Sequence, residues 1–183
     1  MNFFEMLMLS KKMSFENGTV KLYGQNIIIF PPQSIAEYVV SINDNKELIR
    51  DLYNTAKKAM VEYGEVISED YKASHDINWV CDYVNLFGQG RIVYEDITKA
   101  PTGTILLENS LYFEGFKNKL NSPVDHIMRG IIAGILSAIF NKNFDAVETE
   151  CVAMDYSICR FVVDYSDVLK KRFSGIYDTQ IGN

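Results

Sequence analysis

The sequence predicts an α+β domain in which helices pack on an antiparallel sheet. Three observations lead there. Of the 183 residues, 48% are apolar and 13% aromatic, enough to build a sizeable core and too many for a disordered chain. Alternating segments bounded by Gly, Pro and Asn occur in adjacent pairs, as antiparallel hairpins do. Between them lie segments whose apolar residues return every three to four positions, the period of a helix. No internal repeat or linker interrupts the pattern.

In chain order, residues 1–16 read as an amphipathic segment. Phe3, Phe4, Met6, Leu7, Met8 and Leu9 are apolar, but Glu5 breaks the run and the lysines follow it rather than precede it. That pattern excludes a secretory signal. A single domain is expected over 17–175, followed by a loose tail over 176–183. Thr19 to Tyr23 and Asn26 to Phe30 read as a hairpin turning at Gly24-Gln25, and Pro31-Pro32 ends it. Gln33 to Ile42 reads as helix. Asp44 opens a longer one, with Leu48, Leu52, Ala56, Ala59 and Tyr63 on one stripe and Gly64 weakening or ending it. Ser68 is the expected cap of a further helix that reaches Phe87 and stops at Gly88. Arg91 to Thr98 and Thr104 to Glu108 read as strands around Pro101-Thr102-Gly103. Ser122-Pro123 opens the most apolar helix, which Asn141 to Asn143 closes. Its Gly130 and Gly134 lie one turn apart, tolerable where another backbone packs closely. Phe144 to Ala153 and Ile158 to Asp164 form a last hairpin, and Ser166 to Phe173 a short helix.

Composition excludes several function classes. The net charge is −6 without a long basic run, so a nucleic-acid surface is not expected. Lys170, Lys171 and Arg172 read as a solvated helix face. "DHIMRGIIAGILSAIF" contains Arg129 and is too short to span a bilayer. Three cysteines do not make a disulfide scaffold, and the expected location is cytoplasmic.

The most informative stretch is "VETECVAMDYSICRFVV", Val147 to Val163. Cys151 and Cys159 flank a seven-residue loop between two strands. A disulfide, a pair of core fillers and a metal clamp are the three readings. For the metal reading, Glu148 or Glu150 supplies a carboxylate, the two cysteines supply thiolates, and Asp125 or His126 at the start of the glycine helix completes four ligands, as zinc requires. Strand alternation puts both glutamates on the face opposite Cys151. A glutamate can therefore share a metal with Cys151 only through a twist or bulge.

These residues resemble a known family. "PVDHIMRGIIAGILSAIFNKNFDAVETECVAMDYSICRFVV" is similar to the closing half of vinyl-4-reductase-family domains. Such domains have a helix with glycines four apart, a strand reading Glu-x-x-Cys, and a second Cys eight residues on. "NLFGQGRIVYEDI" resembles the family's Gly-x-Gly lead into a strand, and "NGTVKLYGQNIIIFPPQSI" fits its archaeal single-domain members. The resemblance covers about residues 17 to 170. It implies the fold of the TRAPP small subunits and of phenol-sensing regulator domains, and a structural zinc on Asp125, Glu148, Cys151 and Cys159. Asp125 stands where the relatives carry Cys, with His126 one residue away as the other fourth ligand. Asp155 stands where they carry Gly, at a turn that Asp tolerates.

His75, Trp79 and Tyr83 are four apart on one helix face, and suit either an aromatic core stripe or the wall of a ligand pocket. Cys81 is expected in the core. No dinucleotide fingerprint or redox CxxC is present: "GQG" at Gly88 to Gly90 lacks the third glycine. No catalytic residue is nominated. The expected function is therefore a homodimeric, zinc-stapled domain that binds or senses a small hydrophobic or aromatic molecule. Its rivals are an enzyme or accessory factor in vinyl-group reduction of a tetrapyrrole, and an assembly module.

Overall fold

The computed structural model describes residues 3–28, 31–74, 81–82, 84–86, 88–96, 102–110 and 114–182. The chain divides into two compact units, residues 1–31 and 32–183. The sequence-based boundary after residue 16 thus falls inside the first unit.

The first unit contains helix α1 (Phe3–Leu9) and a three-stranded antiparallel meander of β1 (Met13–Glu16), β2 (Thr19–Leu22) and β3 (Gln25–Ile27). Both turns are two-residue turns with positive φ throughout, Asn17-Gly18 at 51° and 77° and Tyr23-Gly24 at 51° and 78°. Their twist matches that of the strands they join. The expected hairpin is present with its turn one residue earlier. Strand β1 was not anticipated, although Asn-Gly is the strongest short hairpin signal in the sequence.

The second unit begins with α2 (Pro32–Ile42) and α3 (Lys46–Ser74). Asn45 caps α3, its Oδ1 accepting from the N–H groups of Glu47 and Leu48 at 3.1 and 3.2 Å. The expected break at Gly64 does not occur, and Ser68 lies inside the helix rather than at a cap. The reason lies in α4 (His126–Phe140): a Cβ on Gly64 would sit 2.5 Å from the Cβ of Ala138. A Cβ on Gly130 would meet the Tyr53 carbonyl and Ala56, and one on Gly134 would meet Lys57 and Met60. Three glycines thus form a seam along which α3 and α4 touch almost backbone to backbone, which offsets their poor helix propensity.

The sheet is antiparallel in the order β4 (Arg91–Asp96), β5 (Gly103–Glu108), β7 (Cys159–Tyr165), β6 (Phe144–Glu150). Helix α4 packs on β6 and beneath α3. It is buried nearly all round, as an apolar helix between two layers must be. The Asn141 residue closes it in the left-handed conformation. Its start is His126, later than the Ser122-Pro123 expectation, and Asp125 at its N-cap makes no capping bond.

After β7 come α5 (Ser166–Arg172) and α6 (Ser174–Gln180), both packed on β6. The tail is therefore not loose. Tyr177 and Gln180 are buried, and Tyr177 joins Val147 and Leu169 in a small apolar cluster. Gly175 and a run of only seven helical residues hid this from the periodicity. No helix among the described residues is long and apolar enough to cross a membrane.

Candidate metal centre

Four acidic groups converge where α4 begins and the β6–β7 hairpin closes. The candidate ligand atoms of Asp125, Glu148, Cys151 and Cys159 all lie within 4.8 Å of one another, and every one of these residues is buried. Each arrives by a different local device. Asp125 is the residue before α4. Cys151 follows β6 in extended conformation and precedes a 3-10 turn, Val152–Met154. Asp155 ends that turn at φ 78°, the left-handed position that Asp tolerates. Cys159 opens β7 opposite Leu107.

Glu148 reaches the cluster because β6 is irregular. It pairs with Phe161, but the next pair is Glu150 with Arg160, so an extra residue is accommodated between the two glutamates. This bulge puts Glu148 on the same side as Cys151. Glu150 instead points outward and meets Arg160 at 3.2 Å. Spacing alone could not separate the two glutamates, and the bulge does.

The two sulfurs are 3.9 Å apart and both thiols are free, so the disulfide reading fails. Glu148 Oε2 accepts the Asp125 backbone N–H at 3.0 Å. Among the described residues, Glu148 Oε1 and Asp125 Oδ2 are buried with no hydrogen-bond partner. Orphaned carboxylate oxygens in a dry interior demand an explanation. Burial pushes the Asp125 carboxyl up to about 6, against its hydrogen bonds and the nearby Arg129. Burial, with Asp125 and Cys151 close by, raises Glu148 well above the carboxylate range. The hydrogen bond between the sulfurs raises Cys159 and lowers Cys151, so the pair shares a proton. A divalent cation reverses this preference, because it stabilises every anion it binds. Two sulfurs on a tetrahedral zinc at about 2.3 Å lie about 3.8 Å apart. The sulfur spacing here matches, and the donor set of two thiolates and two carboxylates is one zinc accepts.

His126 does not join the four. Its Nδ1 accepts from Arg129 Nη2 at 2.7 Å, which leaves the proton on Nε2 to donate to Asn43 Oδ1 at 2.8 Å. Both ring nitrogens are therefore engaged. Burial and the Arg129 charge hold the imidazole neutral, its pKa lowered to about 2.

Arg129 was passed over in the sequence except as an obstacle to a membrane span. It is fully buried, 5.0 Å from the Tyr53 ring centroid, and electrostatically coupled to Glu148 and Asp125. A lone Arg within "HIMRGII" was the signal, since a buried cation requires anions around it. A second polar knot adjoins it. Asp145 accepts from Tyr53 Oη at 2.6 Å and Lys57 Nζ at 2.7 Å on one oxygen, and from Tyr177 Oη at 2.6 Å on the other.

A cleft of about 390 Å³ opens beside the cluster, lined by Asn43, Ile49, Pro123, His126 and Ile176, with Glu148 and Gln180 in its floor. That volume is in the range of small-molecule sites. The other nominated pocket residues, His75, Trp79 and Tyr83, lie outside the described residues. Next to them in sequence, Cys81 and Val84 are buried. With Ile92, Ile105, Ile132, Ile135 and Leu136 they border an apolar void of about 10 Å³, room for no more than a water.

The hairpin, the helix leading into it and the strand before them can now be set against known proteins. Residues 107–164 match the family model of the vinyl-4-reductase domain. The chain carries a vinyl-4-reductase domain. Its fold is similar to that of the phenol-responsive sensory domain of the transcription activator PoxR, crystallised with phenol. That match has a TM-score of 0.76 at 16% identity and covers 93% of this chain and 94% of that one. A vinyl-4-reductase family protein from Methanocaldococcus jannaschii matches at a TM-score of 0.52 and 23% identity, over 75% of this chain and 83% of that one. A trafficking protein particle complex subunit 3 from Naegleria fowleri is more remote, with a TM-score of 0.44 at 9% identity over 73% and 95% of the two chains. Among curated proteins none matches the sequence. At these identities the likeness establishes the fold, and the family match covers the segment that holds all four clustered side chains.

Proposed function

We propose that this protein is a small-molecule-binding domain of the sensory kind, with its hairpin stapled to α4 by a structural zinc. The observation that carries the sensory reading is the likeness to the phenol-responsive domain over nearly the full length of both chains. The zinc reading rests on separate ground, the buried convergence of Asp125, Glu148, Cys151 and Cys159 with two carboxylate oxygens unpartnered. Four protein ligands would close the coordination shell. The ion would then hold structure and leave no position for a reacting water.

The ligand in this reading is hydrophobic or aromatic, and His75, Trp79 and Tyr83 contribute to its site. The aliphatic surround of Cys81 and Val84 supports an apolar occupant on that side of the sheet. A phenol-sized molecule needs the void there to widen. We further propose a homodimer, supported by the exposed Phe4, Met8, Leu9, Phe15 and Ile28 of the first unit.

Native mass spectrometry of the purified full chain, with and without added phenol, tests the reading. One zinc per chain and a mass increment for the aromatic compound are expected. Absence of zinc from protein made in zinc-replete medium removes the staple. A tetrapyrrole retained through purification replaces the sensory reading with the reductive one.

A further inference from the structure

Strand β6 is the last strand of its sheet, so one edge of it has no strand neighbour. An open edge presents unpaired N–H and C=O groups. At Glu148 these groups are taken by a side chain. The Glu148 N–H donates to Gln180 Oε1 at 2.9 Å, and Gln180 Nε2 donates to the Glu148 carbonyl at 2.8 Å. The amide of Gln180 thus reproduces the two bonds that a neighbouring strand would have made. The same residue is held from a second side, since both Nη atoms of Arg129 lie 3.4 Å from its backbone carbonyl. Gln180 is 4% exposed and is the last residue of α6.

The residue that Gln180 grips is the one whose side chain enters the cluster. Glu148 lies at one end of the bulge and Cys151 at the other, and both turn inward. Arg129 faces the same negative charge and also holds α6. We propose that α6 is a metal-dependent latch, fastened to the open edge of β6 through Gln180 only while an ion ties Glu148 to Cys151. This rests on the zinc reading above. With the ion in place, the bulge is cross-linked inside and presents Glu148 N–H and C=O outward in fixed register. Four anionic ligands on a divalent ion leave two negative charges in excess, and Arg129 offsets one of them. Without the ion, two carboxyls and two thiols crowd one buried space. Nothing then fixes the bulge, and the amide pair at Gln180 loses its footing. Because α6 also walls the cleft, its release would open that cleft.

Hydrogen–deuterium exchange on the full chain tests this, read on peptides covering 174–182 and 103–108, with zinc content measured on the same samples. Removing zinc with a chelator is expected to speed exchange in α6 by about tenfold, the factor for one ordinary buried hydrogen bond, while β5 stays protected. Gln180→Leu is expected to give the same fast exchange in α6 with zinc still bound one to one. Equal protection of α6 with and without zinc overturns the latch and leaves the zinc reading standing. So does a Gln180→Leu protein whose α6 is as protected as wild type. Equal loss of protection in α6 and β5 on chelation also overturns it, because zinc would then hold the whole domain. Wild-type protein without zinc overturns the zinc reading and the latch with it.

Discussion

Replacing Gly134 with alanine is expected to destabilise the protein, although alanine is the better helix former. In an open helix the exchange would gain about 1 kcal/mol. Here the new Cβ would sit 2.5 Å from the Met60 Cβ and closer still to the Lys57 carbonyl oxygen. Neither neighbour is the far end of a flexible side chain, so α3 and α4 have to part by about 1 Å to reach ordinary contact distance. A gap of that size forfeits a quarter to a half of each dispersion contact along the seam. Overpacking of this kind costs up to about 3 kcal/mol, which leaves a net loss of about 2 kcal/mol after the helix gain. Gly175→Ala is the control: no atom lies within 4 Å of the added methyl, and α6 should gain up to about 1 kcal/mol. Urea unfolding followed by circular dichroism at fixed zinc concentration measures both. If Gly134→Ala unfolds at the same urea concentration as wild type or higher, the close contact at the seam is refuted.

Further outcomes follow from the cluster and its surroundings. Glu148→Ala should abolish stoichiometric zinc while Glu150→Ala, on the outer side of the bulge, should leave it intact; elemental analysis distinguishes them. Cys151→Ser should lose zinc and stability together, because a structural ion contributes folding free energy directly, whereas Cys81→Ser should keep its metal. Lys57→Met should cost about 3 kcal/mol at pH 7 by leaving Asp145 buried without its cation. Burial alone would raise the Asp145 carboxyl, but Lys57 beside it and hydrogen bonds from Lys57, Ser166 and Tyr177 hold it below the usual range. A depressed native pKa contributes stability above the unfolded value of about 3.9 and loses it as pH falls through the native one. The Lys57→Met deficit should accordingly shrink below about pH 4, and a deficit unchanged at pH 3 would contradict this account. Analytical ultracentrifugation at micromolar concentration should give a dimer, and a monomer alone would remove the proposed pairing.

Much of the second unit was legible because its signals are local or repeat along the chain. The apolar run of α4, the alternation of β7 and the turn at Asp155 each fix an element from a few neighbouring residues. Gly130 and Gly134 even announced a close helix contact, though not its partner. What stayed hidden depends on residues far apart in sequence. Gly64 looked like a stop because propensity counts its own cost and cannot see Ala138 waiting across the seam. His126 looked as good a ligand as Asp125, since nothing near it betrays that Asn43 and Arg129 occupy both its nitrogens. Gln180 carried no signal at all, because capping a strand edge needs only one amide at the right place. The bulge was posed by the sequence as a condition, that Glu148 and Cys151 share a face only if β6 is irregular, and the register answers it.

That irregularity has a consequence for how the chain can change. In a regular strand, facing inward or outward is a matter of parity, and parity is reset where β6 takes in its extra residue between Glu148 and Glu150. The cluster therefore depends on a count more than on the identity of Thr149, which is only half-buried there. Many side chains fit at 149. Shortening or lengthening the segment between Glu148 and Cys151 by one residue does not, because it returns one of the two to the opposite face while every residue of the cluster is still present in the sequence.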